Sequence, residues 1–176
     1  MILAIIILGR VIDILNIRIL KWMTKRLGTE FTLIFANRLT FIGTIHHELS
    51  HAILLLITGA KIVKLDIFKP QGNRLGQVKY INRGNFILKA IQNTTSAIAP
   101  VMIGCITEFI LYKTLGLTQS IPILILIIYT MISILLHMTM SKQDFKMAIK
   151  GLPICAILIF LVMYVTKFDI FTYINV

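Results

Sequence analysis

Long apolar stretches follow one another along this chain, and the charged residues gather in the short segments between them. The run at 121–136 reads IPILILIIYTMISILL and contains no charge. Hydrophobic residues make up 57% of the sequence and charged residues 14%, whereas a soluble domain has about half and about a quarter. This pattern predicts an all-α polytopic membrane protein.

Five apolar segments are long enough to be membrane helices. They cover about 1–20, 32–58, 86–112, 121–140 and 152–166. We therefore predict about five transmembrane helices in a single membrane-embedded domain over residues 1–176, with a core at about 32–152. Arg10 and Asp13 lie three residues apart in the first segment and can pair on one helix face. This segment either spans the membrane or lies flat at its surface.

The connector after the second apolar segment has the two-residue periodicity of β-strands. KIVKLDIF at 61–68 alternates apolar and charged side chains, and QVKYI at 77–81 is a second, shorter run of this kind. Turn-forming residues, PQGNRLG at 70–76, separate the two runs. We predict a short β-hairpin-like insert whose loop is longer than two residues.

The net charge of +11 lies mostly between the apolar segments. Basic residues there are typical of topology signals and anionic-lipid contacts, and no nucleic-acid-binding motif accompanies them. The connectors at 60–85 and 141–151 carry more Lys and Arg than those on the opposite side, which predicts that they face the cytoplasm. The small size and the Ile- and Lys-rich composition favour a multi-pass protein of a bacterial plasma membrane.

The motif His47-Glu48-Leu49-Ser50-His51 places ionisable residues inside the second apolar segment. Such residues are costly in lipid and indicate a functional site. The pattern is H-E-x-x-H, which on a helix brings two imidazoles to one face, where both can bind one zinc ion. Glu48 is offset by one residue and can take a proton from water that zinc activates. We predict one Zn²⁺ per chain; the alternative is a polar cluster that joins helices through hydrogen bonds.

A catalytic zinc usually has three protein ligands and one open position. The candidates for the third ligand are Asp144, Glu108 and His137. Asp144 is favoured because it follows the fourth segment on the side toward which the motif lies; the alternative is a helix cap. Glu108 lies near the opposite end of its segment, and His137 could orient a ligand. His46 points to another helix face, where we expect a structural hydrogen bond.

Three segments of the sequence carry recognisable features in addition to the H-E-x-x-H pattern. They are HHELSHAILLLITGAKI at 46–62, SAIAPVMIG at 96–104 and SKQDFKMAIKGLP at 141–153. Together with the hairpin between the first two, they resemble the site-2 protease family of intramembrane zinc metalloproteases over about residues 35–152. The third segment has Gln-Asp-Phe where the family has Leu-Asp-Gly, so the resemblance is to a minimal, divergent member.

The resemblance implies a zinc metalloendopeptidase that cuts a peptide bond in or near a membrane span of a substrate protein or peptide. His47, His51 and Asp144 would hold the zinc. Glu48 would act first as general base and then as acid toward the leaving amine. Two other classes stay open: a zinc-dependent membrane hydrolase of another kind, and a non-catalytic metal-binding adaptor or immunity-type protein. A separate regulatory partner is compatible with either.

Two further segments could serve such a protease. The polar run at 92–96 would either line a water path to the zinc or bond to neighbouring helices. The hairpin at 61–81 would either hold an extended substrate along its edge or form a plain cytoplasmic loop. The sequence leaves both pairs of interpretations open.

Overall fold

The computed structural model describes residues 2–67 and 76–166, and over these residues the chain is mainly helical. Six α-helices, one π-helical segment and two strands follow in the order α1 (Ile2–Leu27), α2 (Thr29–Ile34), the π-helical segment (Phe35–Leu39), α3 (Phe41–Ile57), β1 (Lys61–Asp66), β2 (Gln77–Ile81), α4 (Phe86–Leu115), α5 (Ile121–His137) and α6 (Lys142–Thr166). The predicted helical class is confirmed, and so is the hairpin after the motif helix.

Two of these helices, α4 and α6, are long and apolar enough to cross a membrane. A third span is present if α2, the π-helical segment and α3 count as one helix bent by 52°. Helix α5 is apolar but has 17 residues, and α1 carries Arg10, Asp13 and Arg18 in its apolar part. These are the features of a membrane protein, but the predicted number of about five spans is not confirmed.

The predicted continuous helix over 32–58 is wrong, because the helix breaks at Thr40. Thr40 has φ −112° and ψ 30°, outside the helical region, and its N–H donates to the carbonyl of Phe35 across the wider π turn. Its hydroxyl contacts the carbonyls of Phe35 (3.1 Å) and Ala36 (3.0 Å). This local bonding ends one helix and lets the next begin in a new direction.

Helix α5 satisfies the backbone groups that the break exposes. Ser133 donates its hydroxyl to the carbonyl of Thr40 (2.9 Å) and accepts from the N–H of Gly43 (2.8 Å). Tyr129 donates to the carbonyl of Leu39 (2.7 Å). Because lipid offers no hydrogen bonds to a free backbone group, these contacts allow an irregular segment to lie beside an apolar helix.

Two glycines permit close contacts between helices. A Cβ atom on Gly43 would collide with the carbonyl oxygen of Ser133 and would lie 2.5 Å from Nδ1 of His137. A Cβ atom on Gly151 would collide with the hydroxyl of Thr94. The missing side chains therefore let α5 pack against α3 and let α6 pack against α4.

Helix α1 packs across α4, α6 and the connector between α5 and α6. Its Ile6 belongs to a buried apolar cluster with Ala97, Ile98, Met140 and Ala148. The cluster joins the first helix to the two long apolar helices, and it anchors α1, which is not among the candidate spans because its apolar part carries three charged residues.

Polar contacts fix the position of α1 as well. The predicted pair of Arg10 and Asp13 is confirmed, with a distance of 2.7 Å between the guanidinium and the carboxylate. The side-chain amide of Asn16 donates to the carbonyl of Leu136 (2.8 Å). The middle of α1 therefore reaches the C-terminal end of α5.

The strands β1 and β2 pair antiparallel, with Lys61 opposite Ile81 and Asp66 opposite Gln77. The register shifts between Ile62 and Lys64, which indicates a bulge in β1. The predicted turn at 70–76 lies outside the described residues except for its last residue.

The polar run on α4 ties the hairpin to the helices. Asn93 accepts hydrogen bonds from the Tyr80 hydroxyl (3.1 Å) and from the Asn82 amide (2.9 Å). Gln92 donates to the carbonyl of Thr58 at the end of α3 (3.0 Å). For Gln92 and Asn93, these contacts favour the interpretation in which the run bonds to neighbouring segments.

We expect Gly43→Ala to lower the stability of the fold by about 1–3 kcal/mol, because the new methyl group meets the rigid backbone of α5. Thermal unfolding in detergent measures the effect. Gly116→Ala is the matched control, since its Cβ would have only an ordinary contact at 3.7 Å. Equal melting temperatures for the two variants would contradict the close approach of α3 and α5.

Candidate metal centre

The H-E-x-x-H motif lies on α3, where its two outer histidines share one face. The Nε2 atoms of His47 and His51 are 3.1 Å apart, and the two rings meet edge to face. The spacing of four residues produces this juxtaposition, because one helical turn separates the two positions. The two histidines therefore lie side by side on one face of α3, as the sequence predicts.

Each of the two histidines contacts a backbone carbonyl through its Nδ1 atom. Nδ1 of His47 lies 2.7 Å from the carbonyl oxygen of His137, and Nδ1 of His51 lies 2.7 Å from that of Ser96. A carbonyl can only accept, so each Nδ1 donates its N–H to the carbonyl, and each Nε2 is the ring nitrogen that is left to bind a metal. This arrangement is typical of metal-binding histidines, which donate their other N–H to a fixed acceptor.

The two Nε2 atoms face each other at 3.1 Å, and the lone pairs of two neutral rings would repel at this distance. A cation between them would turn that repulsion into coordination, so the donor set fits a metal ion. Asp144 completes the set, because one of its carboxylate oxygens and the two histidine nitrogens all lie within 4.8 Å of one another. The group of His47, His51 and Asp144 could therefore hold a metal ion.

Asp144 also caps the helix that carries it. The Ser141 N–H donates to Asp144 Oδ2 (3.1 Å), and the Asp144 N–H donates to the Ser141 hydroxyl (3.2 Å). This reciprocal pair is a capping box at the start of α6. It uses Oδ2, so Oδ1 remains for a second partner. The two interpretations that the sequence left open, ligand and cap, are compatible in one side chain.

Glu48 is buried beside the two histidines and lies against the hairpin. A Cβ atom on Gly76 would be 2.5 Å from Cγ and 2.8 Å from Oε1 of Glu48. Only a glycine lets the backbone before β2 approach the glutamate this closely. The hairpin therefore borders the motif and limits where the Glu48 carboxylate can lie.

A cavity of about 410 Å³ opens onto these residues. It is bounded by α1, the π-helical segment, α3, α4, α5 and α6 and by the hairpin, and it includes His47, Glu48, His51 and Asp144 on its wall. The cavity is large enough for a short stretch of extended peptide beside the metal-binding group.

Tyr80 is a wall residue that the sequence did not single out. It comes from β2, and its phenol donates to Asn93 Oδ1 (3.1 Å). Burial, together with the nearby Asp144 carboxylate, raises the pKa of Tyr80, so the phenol stays protonated at neutral pH. No sequence motif could have indicated this, because the hairpin reaches the cavity only in the folded chain.

The other two candidate ligands lie outside the metal-binding group. Glu108 has one carboxylate oxygen buried without a hydrogen-bond partner among residues 2–67 and 76–166, and it does not belong to the group that His47, His51 and Asp144 form. The ring of His137 bonds to the carbonyl of Ser133 (2.9 Å). His137 does orient His47, but through its backbone carbonyl and not through its ring.

His46 has the structural role that its helix face predicts. Its Nε2 lies 3.0 Å from the hydroxyl of Thr107 on α4. This bond joins α3 to α4 on the face away from the metal-binding group. The third histidine of the motif segment is therefore a helix–helix contact.

Comparisons with protein-family profiles, with curated proteins and with solved structures find no match to this chain.

We expect about one zinc ion per chain in protein purified in detergent, and close to none in His47→Ala and Asp144→Ala. Each variant removes one of three donors that lie together. Elemental analysis measures the content. Glu108→Ala is the matched control and should keep the zinc. Retention of zinc by Asp144→Ala would contradict the assignment of the third ligand.

Proposed function

We propose that this protein is an intramembrane zinc metalloprotease that hydrolyses a peptide bond in or near a membrane span of a substrate protein or peptide. One observation carries the proposal. The imidazoles of His47 and His51 lie on one helix face, and a backbone carbonyl fixes each of them. The Asp144 carboxylate lies with them around one point, and Glu48 of the same motif lies beside them.

Zinc at this group would act as a Lewis acid and would lower the pKa of water to about 7. Glu48 has the position and the chemistry for proton transfer. Its carboxylate would accept a proton from the attacking water and then deliver it to the nitrogen of the leaving amine. The carbonyls of Ser96 and His137 would keep the two imidazoles in the tautomer that the metal requires.

A substrate helix must unwind before its peptide bonds can react, because its carbonyls are already hydrogen bonded. The position of the hairpin supports the interpretation that it holds the unwound substrate, in preference to the plain loop. Tyr80 of β2 lies on the cavity wall, and Gly76 just before β2 touches Glu48. An extended segment that adds to the hairpin edge would therefore run past the metal-binding group.

The same end of the fold carries the hairpin and the start of α6. The hairpin segment and the first turns of α6 are rich in Lys and Arg, which supports an active site toward the cytoplasmic side of a bacterial plasma membrane. A regulatory partner on a separate chain would act at this end.

We expect Glu48→Gln to keep the zinc and to lose cleavage by at least about a hundredfold, since general acid–base catalysis contributes about 10²–10⁴-fold. The measurement is a comparison of new N-termini in membranes of source cells that carry the wild-type or the variant gene. Glu30→Gln, an exposed change on α2, is the matched control.

Membrane-protein fragments that depend on Glu48 and not on Glu30 would support the protease. An identical set of fragments in all three strains, with zinc bound, would contradict it and leave the non-catalytic metal-binding adaptor.

A further inference from the structure

A second groove lies between the bend at residues 35–41 and the middle of α5 at residues 125–132. It has a volume of about 690 Å³ and shares no lining residue with the cavity at the metal-binding group. Arg38 is the one charged residue among the nine described residues that line it. This groove, the Arg38 groove, therefore combines a single cation with a largely apolar surface.

The guanidinium of Arg38 has no protein partner in the part of the chain that the structure describes. The side chain is exposed and forms no hydrogen bond or ion pair with residues 2–67 or 76–166, whereas Arg10 is paired with Asp13. Arg38 also lies within the bent helix that can count as a third span. A charge at such a position is costly and usually has a partner, so we expect an anion from outside these helices.

The surface of the groove beyond Arg38 suits a hydrocarbon chain. Ile125, Ile128 and Ile132 are spaced by three and four residues, so they share one face of α5. They are between 42% and 62% exposed. Leu39 and Phe41 are exposed apolar residues of the facing wall. An acyl chain between these walls would gain contacts and would need no hydrogen bonds.

The backbone at the bend already has its hydrogen bonds. The carbonyl of Leu39 accepts from the Tyr129 phenol (2.7 Å). The carbonyl of Thr40 accepts from the Ser133 hydroxyl (2.9 Å) and from the Gly43 N–H (3.1 Å). An extended peptide binds through free backbone groups, which these carbonyls do not offer. The contacts therefore favour a lipid over an extended peptide as the occupant.

The length of α5 brings lipid headgroups toward Arg38. Its 17 residues extend about 25 Å, and the hydrocarbon core of a bilayer is about 30 Å thick. Lipids beside such a short apolar helix adapt by thinning the bilayer. The arginine side chain can in addition extend toward the interface while its stem stays on apolar surface. A lipid phosphate can therefore meet the guanidinium.

We propose that the Arg38 groove binds one anionic phospholipid, with its phosphate on the Arg38 guanidinium and an acyl chain along the isoleucine face of α5. A guanidinium fits a phosphate because its N–H groups can bond to two oxygens at once. No carboxylate is among the residues that line the groove, so an ammonium headgroup would find no partner there. The inference does not rest on the proposed protease function.

The test is native mass spectrometry of the full chain released from detergent, with lipid titrations that give dissociation constants. Dioleoylphosphatidylglycerol is the main probe. Dioleoylglycerol has the same chains without the phosphate, and glycerol 3-phosphate has the phosphate without the chains. We expect the wild type to bind the first lipid molecule at least about tenfold more tightly when it carries the phosphate, which is the usual effect of a hydrogen bond to a charged group. Glycerol 3-phosphate should not bind at the same concentration.

Arg38→Gln should weaken the binding of this phosphatidylglycerol at least about tenfold, and Arg38→Lys should retain more of the affinity because it keeps the charge. Arg18→Gln is the matched control, since it removes an exposed arginine of α1 outside the groove. Ile125→Trp should fill the groove and weaken binding with the charge intact. It covers the case in which Arg38→Gln does not fold, because Ile125 is 62% exposed.

Equal affinity of the wild type and Arg38→Gln for phosphatidylglycerol would overturn the proposal, and so would an equal loss in Arg18→Gln. Binding of dioleoylglycerol as tight as that of phosphatidylglycerol would reduce the groove to an apolar surface. Equally tight binding of glycerol 3-phosphate would make it a site for free phosphate. A two-chain species that binds no lipid and that Ile125→Trp separates would assign the groove to a second copy of the chain, against the proposal.

Discussion

The site depends on the hydrogen bonds that join the histidines of α3 to the backbone of α4 and α5. The carbonyls of Ser96 and His137 accept the Nδ1 protons of His51 and His47, and this turns both Nε2 lone pairs toward one point. A backbone carbonyl can accept such a proton only if its helix has the right depth and rotation relative to α3. The relative packing of the three helices therefore decides which carbonyls the two imidazole rings meet.

The break before α3 is the second constraint, and it is coupled to the first. Ser133 bonds to both sides of the break, and Gly43 lets α5 come close enough for it to do so. The same close approach delivers the His137 carbonyl to His47 one turn further along. An irregular segment next to the site is thus stabilised by the helix that also orients a ligand.

The hairpin and the start of α6 close the site from the other end. Gly76 reaches Glu48, and Asn93 fixes the hairpin to α4 through Tyr80. The capping box at Ser141 places the Asp144 carboxylate at the head of α6. Each of these segments uses an ordinary local interaction, and together they surround the histidine pair with one carboxylate for binding and one for proton transfer.

The sequence by itself determined the features that depend on short spacing. The pairing of His47 with His51 follows from one helical turn, the hairpin follows from alternation along 61–81, and the contact of Arg10 with Asp13 follows from a separation of three residues. The sequence could not show the break at Thr40, because the partners that stabilise it lie on α5. It also could not show which backbone carbonyls hold the histidines, since every residue has a carbonyl and only the packing of distant helices selects one.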